Sequence, residues 1–239
     1  MGEIGFSTGC LHNSGMSICE MVDFYSSVGA DAIELSFATP KELMDFELSD
    51  RILKGLEKYK HISIHSPWKG CRYNTSHDTN RMLSKLGKLH RQTKASGIVF
   101  HPDIIDFFGR IKGTGLPILI ENMDRRKAFG TKPEHIKEIR DDYDVGFVLD
   151  IQHAYEHDPS MKTAKEMISV MGYRLKHLHV SGQNRSNNHF PAYAAENREA
   201  IEKILGLGLS VPKILEGELT GDIAKAASEE LRFVRDYKR

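Results

Sequence analysis

Scanned for its apolar and polar positions, the chain resolves into eight short β-rich runs. They are IGFST (4–8), AIELSF (32–37), HISIHS (61–66), GIVFH (97–101), PILIEN (117–122), VGFVLD (145–150), LKHLHVS (175–181) and PKILEG (212–217). Most are too short for helices, and several follow Gly or Pro, so each predicts a strand. Amphipathic helical patterns fill most of the gaps. In 17–29, Ile18, Met21, Val22 and Tyr25 form one stripe that stops at Gly29. The segment 40–58 opens on Pro40, which suits a first helical turn. Segments 78–95, 133–141, 160–171, 194–205 and 221–236 carry the same signature, and the gap after the fourth run, DIIDFFGRIKGTGL, has room for one short helix. Strand and helix alternating eight times predict a parallel sheet with helical crossovers. Eight units favour closure into a (β/α)8 TIM barrel, which typically takes ~250 residues. With no linker or change of composition, residues 1–239 are expected to form a single domain.

Composition narrows the partners. Lys plus Arg and Asp plus Glu both total 33, so there is no global attraction to nucleic acid or anionic lipid, only scope for a local patch. Cys10, Cys19 and Cys71 are too few for a disulfide framework and point to a reducing cytoplasm. The opening MGEIGFSTGC has neither the basic nor the long apolar part of a secretory leader, and no run approaches the ~20 apolar residues of a membrane span.

In a barrel of this type, chemistry sits at the C-terminal ends of the strands. The third to eighth runs end on His65, His101, Glu121, Asp150, His179 and Glu216, with His153 just beyond Asp150. A single His at a strand end is more often a hydrogen-bonded structural residue, and a single Asp there often begins a turn. Six successive ends converge on one mouth, where crowded carboxylates repel unless a cation holds them. Mixed carboxylate and imidazole ligands suit Zn, Mn, Co or Fe, with Mg at the carboxylate-rich part. Asp150 is therefore expected to be a metal ligand, and His153 a second ligand or a substrate contact. His12, His77, His90, His135 and His157 read as surface residues. His177 shares the side-chain parity of His179 and is expected one layer deeper, and Glu34 either hydrogen-bonds a ligand or is structural. Cys10 has no identified base partner and is not read as a nucleophile, and the basic end RDYKR reads as a solvated helix end.

The ordered set IHSP, VFHPD, LIENM, LDIQH, HLHVSG, NNHFP and KILEG resembles the xylose isomerase-like TIM-barrel superfamily, which includes sugar isomerases and epimerases and the endonuclease IV type of AP endonuclease (AP endonuclease family 2). The resemblance implies a divalent metal held by Glu121, Asp150, His179 and Glu216, with His153 and Arg185 touching substrate. For the endonuclease IV type it implies a trinuclear zinc site. The matching ligands would be His65, His101, Glu121, Asp150, His153, His179, His189 and Glu216, but Asn187 stands where that type has an Asp. Two chemistries follow. One is a sugar or sugar-phosphate isomerase or epimerase in which Glu121 and Glu216, on roughly opposite sides of the mouth, exchange a proton through a metal-stabilised enediolate. Trp68 would then lie as an aromatic lid over the sugar. The other is a phosphodiesterase at abasic sites in DNA, with Trp68 as a wedge and Lys69, Arg72 and Tyr73 near phosphates. Neutral net charge favours the first. A barrel that only binds a metabolite would be free to lose the Glu121/Asp150/His179/Glu216 set.

Overall fold

The computed structural model describes residues 2–237. Eight parallel strands close into a barrel in sequence order. They are β1 (Ile4–Ser7), β2 (Ala32–Ser36), β3 (His61–His65), β4 (Ile98–Phe100), β5 (Ile118–Glu121), β6 (Gly146–Asp150), β7 (Leu175–Val180) and β8 (Lys213–Leu215). Each lies inside its predicted run. Gly5 lets β1 come close to β2, because a Cβ there would fall 1.5 Å from the carbonyl oxygen of Ala32.

The helices are α1 (Ile18–Ser27), α2 (Pro40–Asp45), α3 (Asp50–Leu56), α4 (His77–Thr93), α5 (Phe108–Lys112), α6 (Pro133–Asp142), α7 (Ile151–His157), α8 (Lys162–Met171), α9 (Arg198–Leu205) and α10 (Ile223–Asp236). The basic end RDYKR starts inside α10, and Lys238 and Arg239 lie outside the described residues. The segment 40–58 is two helices rather than one. Phe46 leaves helical geometry, packs its ring 5.2 Å from that of Phe37 and gives its carbonyl to Lys85 Nζ; Ser49 then caps α3 by accepting from Ile52 N. The helix α7, directly after β6, is not among the helices expected from the pattern. Asp150 is its N-cap, accepting from His153 N at 2.7 Å.

Apolar side chains between strands and helices make the main core, which includes Phe6, Phe100, Phe147 and Leu149. A small separate cluster, Val99, Leu119 and Val148, comes from β4, β5 and β6. On these two strand ends and on β7, parity places Glu121, Asp150, His177 and His179 on the same face as that cluster. Glu34 lies opposite Ser63, and Asp150 opposite His179. The second pairing depends on a register shift between Phe147 and Val148. Without the shift, the 147-to-175 offset would set Asp150 against Leu178 and turn one strand's ligating face away from the other's.

Candidate active site

Glu121 lies at the centre of the site. Its carboxylate is 1% exposed and meets four imidazoles. Oε2 lies 3.1 Å from His65 Nε2 and 3.3 Å from His101 Nε2, while Oε1 lies 3.3 Å from His153 Nδ1 and 3.4 Å from His179 Nδ1. Burial pushes the Glu121 carboxyl up, but His179 and His101 more than offset it and hold the group well below the usual carboxylate range.

Donor atoms of Glu121, Asp150, His179 and Glu216 all lie within 4.8 Å of one another, and so do those of His65, Glu121 and His179. His179 Nδ1 is 3.4 Å from Glu216 Oε2. Glu121 and Glu216 therefore share His179 instead of facing each other across the mouth. Glu216 keeps 14% side-chain exposure. Burial pushes its carboxyl up to about 8; His179 opposes this, and Glu121, Asp150 and Glu34 add to it.

The backbone fixes which nitrogens face the cluster. His65 Nδ1 lies 2.9 Å from Ser66 O and His153 Nδ1 3.0 Å from Asn122 O. Carbonyl oxygens only accept, so both Nδ1 atoms carry protons, and His65 presents Nε2 to Glu121. Burial depresses His153, but Asp150 and Glu121 outweigh it and push its pKa up to about 10. Asn122 ties the two strand ends together, accepting from Asp150 N at 2.7 Å and donating to Asp150 O at 3.0 Å. With Asp150 Oδ1 used by the cap of α7, the buried Oδ2 has no hydrogen-bond partner, nor does His179 Nδ1. Orphaned donors of mixed imidazole and carboxylate type, closely grouped, are what a divalent cation would satisfy.

A second layer lies beneath. Burial favours a neutral Glu34, but His179 and His177 overcome it and hold the carboxyl well below its ordinary range. Donors from Glu34, His177 and His179 form a further close group. Parity marked His177 in the sequence, but Ser63, whose hydroxyl donates to Glu34 at 2.8 Å, carried no chemical signal there.

The remaining expected residues are more peripheral. His189 lies on the loop after β7, 3.1 Å from Ser181 Oγ, with its ring centroid 5.6 Å from that of His153. Asn187 spends both ends of its amide within the loops, donating to Glu218 and accepting from His189 N. Arg185 is exposed on the same loop. Trp68 is half-buried, its ring 4.7 Å from His65 and 5.6 Å from His101. Lys69 Nζ lies 5.8 Å from the Trp68 ring centroid. Tyr73 is fully buried and donates to Pro67 O, so its hydroxyl is engaged, whereas Arg72 is exposed and pairs with Asp106 at the surface. Cys10 is buried and donates to Leu215 O, and burial raises its thiol well above the usual range. His12, His77 and His157 are exposed, His90 is half-buried, and His135 departs from the surface expectation by stacking on Phe129 at 4.8 Å. A cavity of about 550 Å³ lies away from the cluster, between α2 and the start of α4, lined by residues including Met44, Arg72 and Thr79.

The profile of the family described as "Xylose isomerase-like TIM barrel" matches residues 103–237, more than half of the sequence. The chain belongs to that family. No curated protein matches this xylose isomerase-like barrel in sequence. Among solved structures, a D-tagatose 3-epimerase-like protein superposes with a TM-score of 0.70 at 18% identity, over 98% of this chain and 96% of its own. Endonuclease IV from Thermus thermophilus gives 0.70 at 16% identity, over 98% of each chain. A probable 3-DHS dehydratase from Bacillus anthracis gives 0.71 at 14% identity, over 98% of this chain and 99% of its own. At such identities the likeness shows the fold alone. Among the described residues, no helix is long and apolar enough to cross a membrane.

Proposed function

We propose that the protein is a divalent-metal-dependent isomerase or epimerase of a sugar or sugar phosphate, with Glu121 and Glu216 as its acid–base pair. The observation that carries this reading is the close grouping of Glu121, Asp150, His179 and Glu216, in which Asp150 Oδ2 and His179 Nδ1 make no hydrogen bond. These four residues would hold the ion. When bound, a divalent ion supplies Lewis-acid stabilisation of the negative charge that develops on a substrate oxygen.

The chain's own groups do the rest. One carboxylate takes the proton α to the carbonyl and the other returns a proton to the resulting enediolate, a pair of steps worth ~100-fold or more. Without the ion, their environments push the two carboxyls apart, Glu121 down and Glu216 up to about 8. Glu216 is the more open of the two and the better placed to meet substrate. His153, with Nδ1 committed to Asn122, keeps Nε2 for a sugar hydroxyl. Trp68 covers the His65 and His101 side, and Arg185 stands on the loop after β7 to meet a polar or phosphorylated end.

One observation favours a second reading, a zinc phosphodiesterase at abasic sites. Glu121 offers Oε2 to His65 and His101 and Oε1 to His153 and His179, as a carboxylate shared by two cations would. Against it stand the neutral charge, the engagement of Asn187 within the loops, and the burial of Tyr73. The test is a paired assay with and without chelator, using free and phosphorylated aldoses and ketoses on one side and abasic duplex DNA on the other. Chelator-sensitive sugar interconversion without nicking is the expected result; nicking without sugar turnover would reverse the assignment.

A further inference from the structure

We infer that Glu34, held by Ser63, is a positioning residue that keeps the proton of His179 on Nε2 and so commits Nδ1 to the ion. This rests on the reading of His179 as a cation ligand.

The geometry comes from three strands. His179 Nε2 faces away from the mouth cluster and lies 3.3 Å and 3.4 Å from the two oxygens of Glu34. His179 Nδ1 faces the cluster, 3.4 Å from both Glu121 Oε1 and Glu216 Oε2. One imidazole thus has a carboxylate on each side, and a neutral ring has one proton to place. Glu34 can take that proton only on the Nε2 side. Its own orientation is set by Ser63 Oγ, its neighbour across the β2–β3 pair, which donates to Oε2 at 2.8 Å. His177 Nε2 lies 3.2 Å from His179 Nε2 and 3.5 Å from Glu34 Oε2; two ring nitrogens in contact share one proton, so with it on His179 the His177 Nε2 is an acceptor. Glu34, Ser63, His177 and His179 are each fully buried, and solvent does not compete for these protons. A barrel interior is ordinarily filled by branched apolar side chains. A polar layer at this depth costs free energy unless its members are mutually satisfied. A carboxylate behind a ligating imidazole fixes its tautomer and orientation, and losing such a partner typically costs 10–100-fold in metal affinity.

The test uses the full chain with ¹⁵N-labelled histidine and Zn²⁺ as the probe. Long-range ¹⁵N–¹H spectra, assigned with a His179 variant, report which nitrogen holds the proton, and chelator competition reports affinity. In wild-type protein, Zn²⁺ is expected to remove the Nδ1 proton of His179 while a slowly exchanging Nε2–H persists. Glu34→Leu is expected to weaken Zn²⁺ about 10–100-fold and to speed exchange of that proton. Glu34→Gln, which keeps an acceptor oxygen, should retain the proton and most of the affinity. Ser63→Ala, a milder change should Glu34→Leu fail to fold, should fall between them. Loss of the Nε2 proton on zinc loading would place the ion among Glu34, His177 and His179 and overturn the inference. Unchanged affinity in both Glu34→Leu and Ser63→Ala, or no zinc binding at all, would also overturn it. None of these readouts involves turnover, so failure of the sugar assay would leave the tautomer result standing.

Discussion

Glu121 and Glu216 both border His179, yet they should respond oppositely to loss of charge in chelator-treated protein. Glu121 is ringed by imidazole nitrogens at 3.1–3.4 Å and held ionised. Glu121→Gln preserves shape but leaves those buried imidazoles without their carboxylate. Breaking a buried ion pair from one side costs ~3–5 kcal/mol. At about 2–4 °C per kcal/mol for a chain of this size, the melting point should fall by about 6–20 °C. Glu216 is different, because burial, with His179 opposing, raises its carboxyl to about 8. The unfolded chain gives up this proton near the ordinary value of 4.5 while the folded protein keeps it. Wild-type stability from this group therefore falls as pH rises from about 4.5 to about 8 and then levels off. Glutamine does not titrate. Glu216→Gln should match wild type near pH 4.5 and become the more stable protein as pH rises to about 8. Thermal melts of the three proteins in chelator from pH 5 to 9 make the comparison. If Glu216→Gln is as destabilised as Glu121→Gln at pH 8, the assignment of a charged centre and a protonated edge is wrong.

Other consequences are simpler to read. Trp68 is the sole tryptophan and packs on His65 and His101, so its fluorescence should change when Mn²⁺ or Zn²⁺ is added; a silent titration would place cation binding elsewhere. Asn122→Ala should cost about 1–3 kcal/mol in chemical denaturation, since it leaves the buried N–H of Asp150 without its acceptor; no measurable loss would show that β5 and β6 are held by other means. Burial, reinforced by His177, lowers His61 to about 4, so the unfolded chain binds its proton first and stability drops as pH falls from about 6.5 to about 4. His61→Gln should flatten that acid limb, and an unchanged limb would assign it to other groups.

The sequence made the barrel and much of its mouth legible for a physical reason. Side-chain alternation in strands fixes which residues share a face, so a His, Asp or Glu closing each of six runs had to meet at one end if the sheet closed. What alternation does not carry is reach. It sets Glu121 and Glu216 on opposite sides, whereas the Glu121 side chain touches four imidazoles and shares one of them, His179, with Glu216. It also could not show the register shift at Phe147/Val148 that brings Asp150 level with His179. A ligand and a helix cap favour the same residue type at a strand end, and Asp150 has an oxygen for each: one caps α7 and the other makes no hydrogen bond. The split of 40–58 turned on Phe46 leaving the helix for a ring contact with Phe37, a tertiary effect that helical periodicity does not encode.

The central claim is that one cation gathers Glu121, Asp150, His179 and Glu216 at the C-terminal end of the barrel. Anomalous diffraction from crystals of the protein loaded with Mn²⁺ tests it most directly. The account predicts a peak within bonding distance of Glu121, Asp150, Glu216 and Nδ1 of His179. No peak, or a peak that none of these four residues reaches, would contradict it.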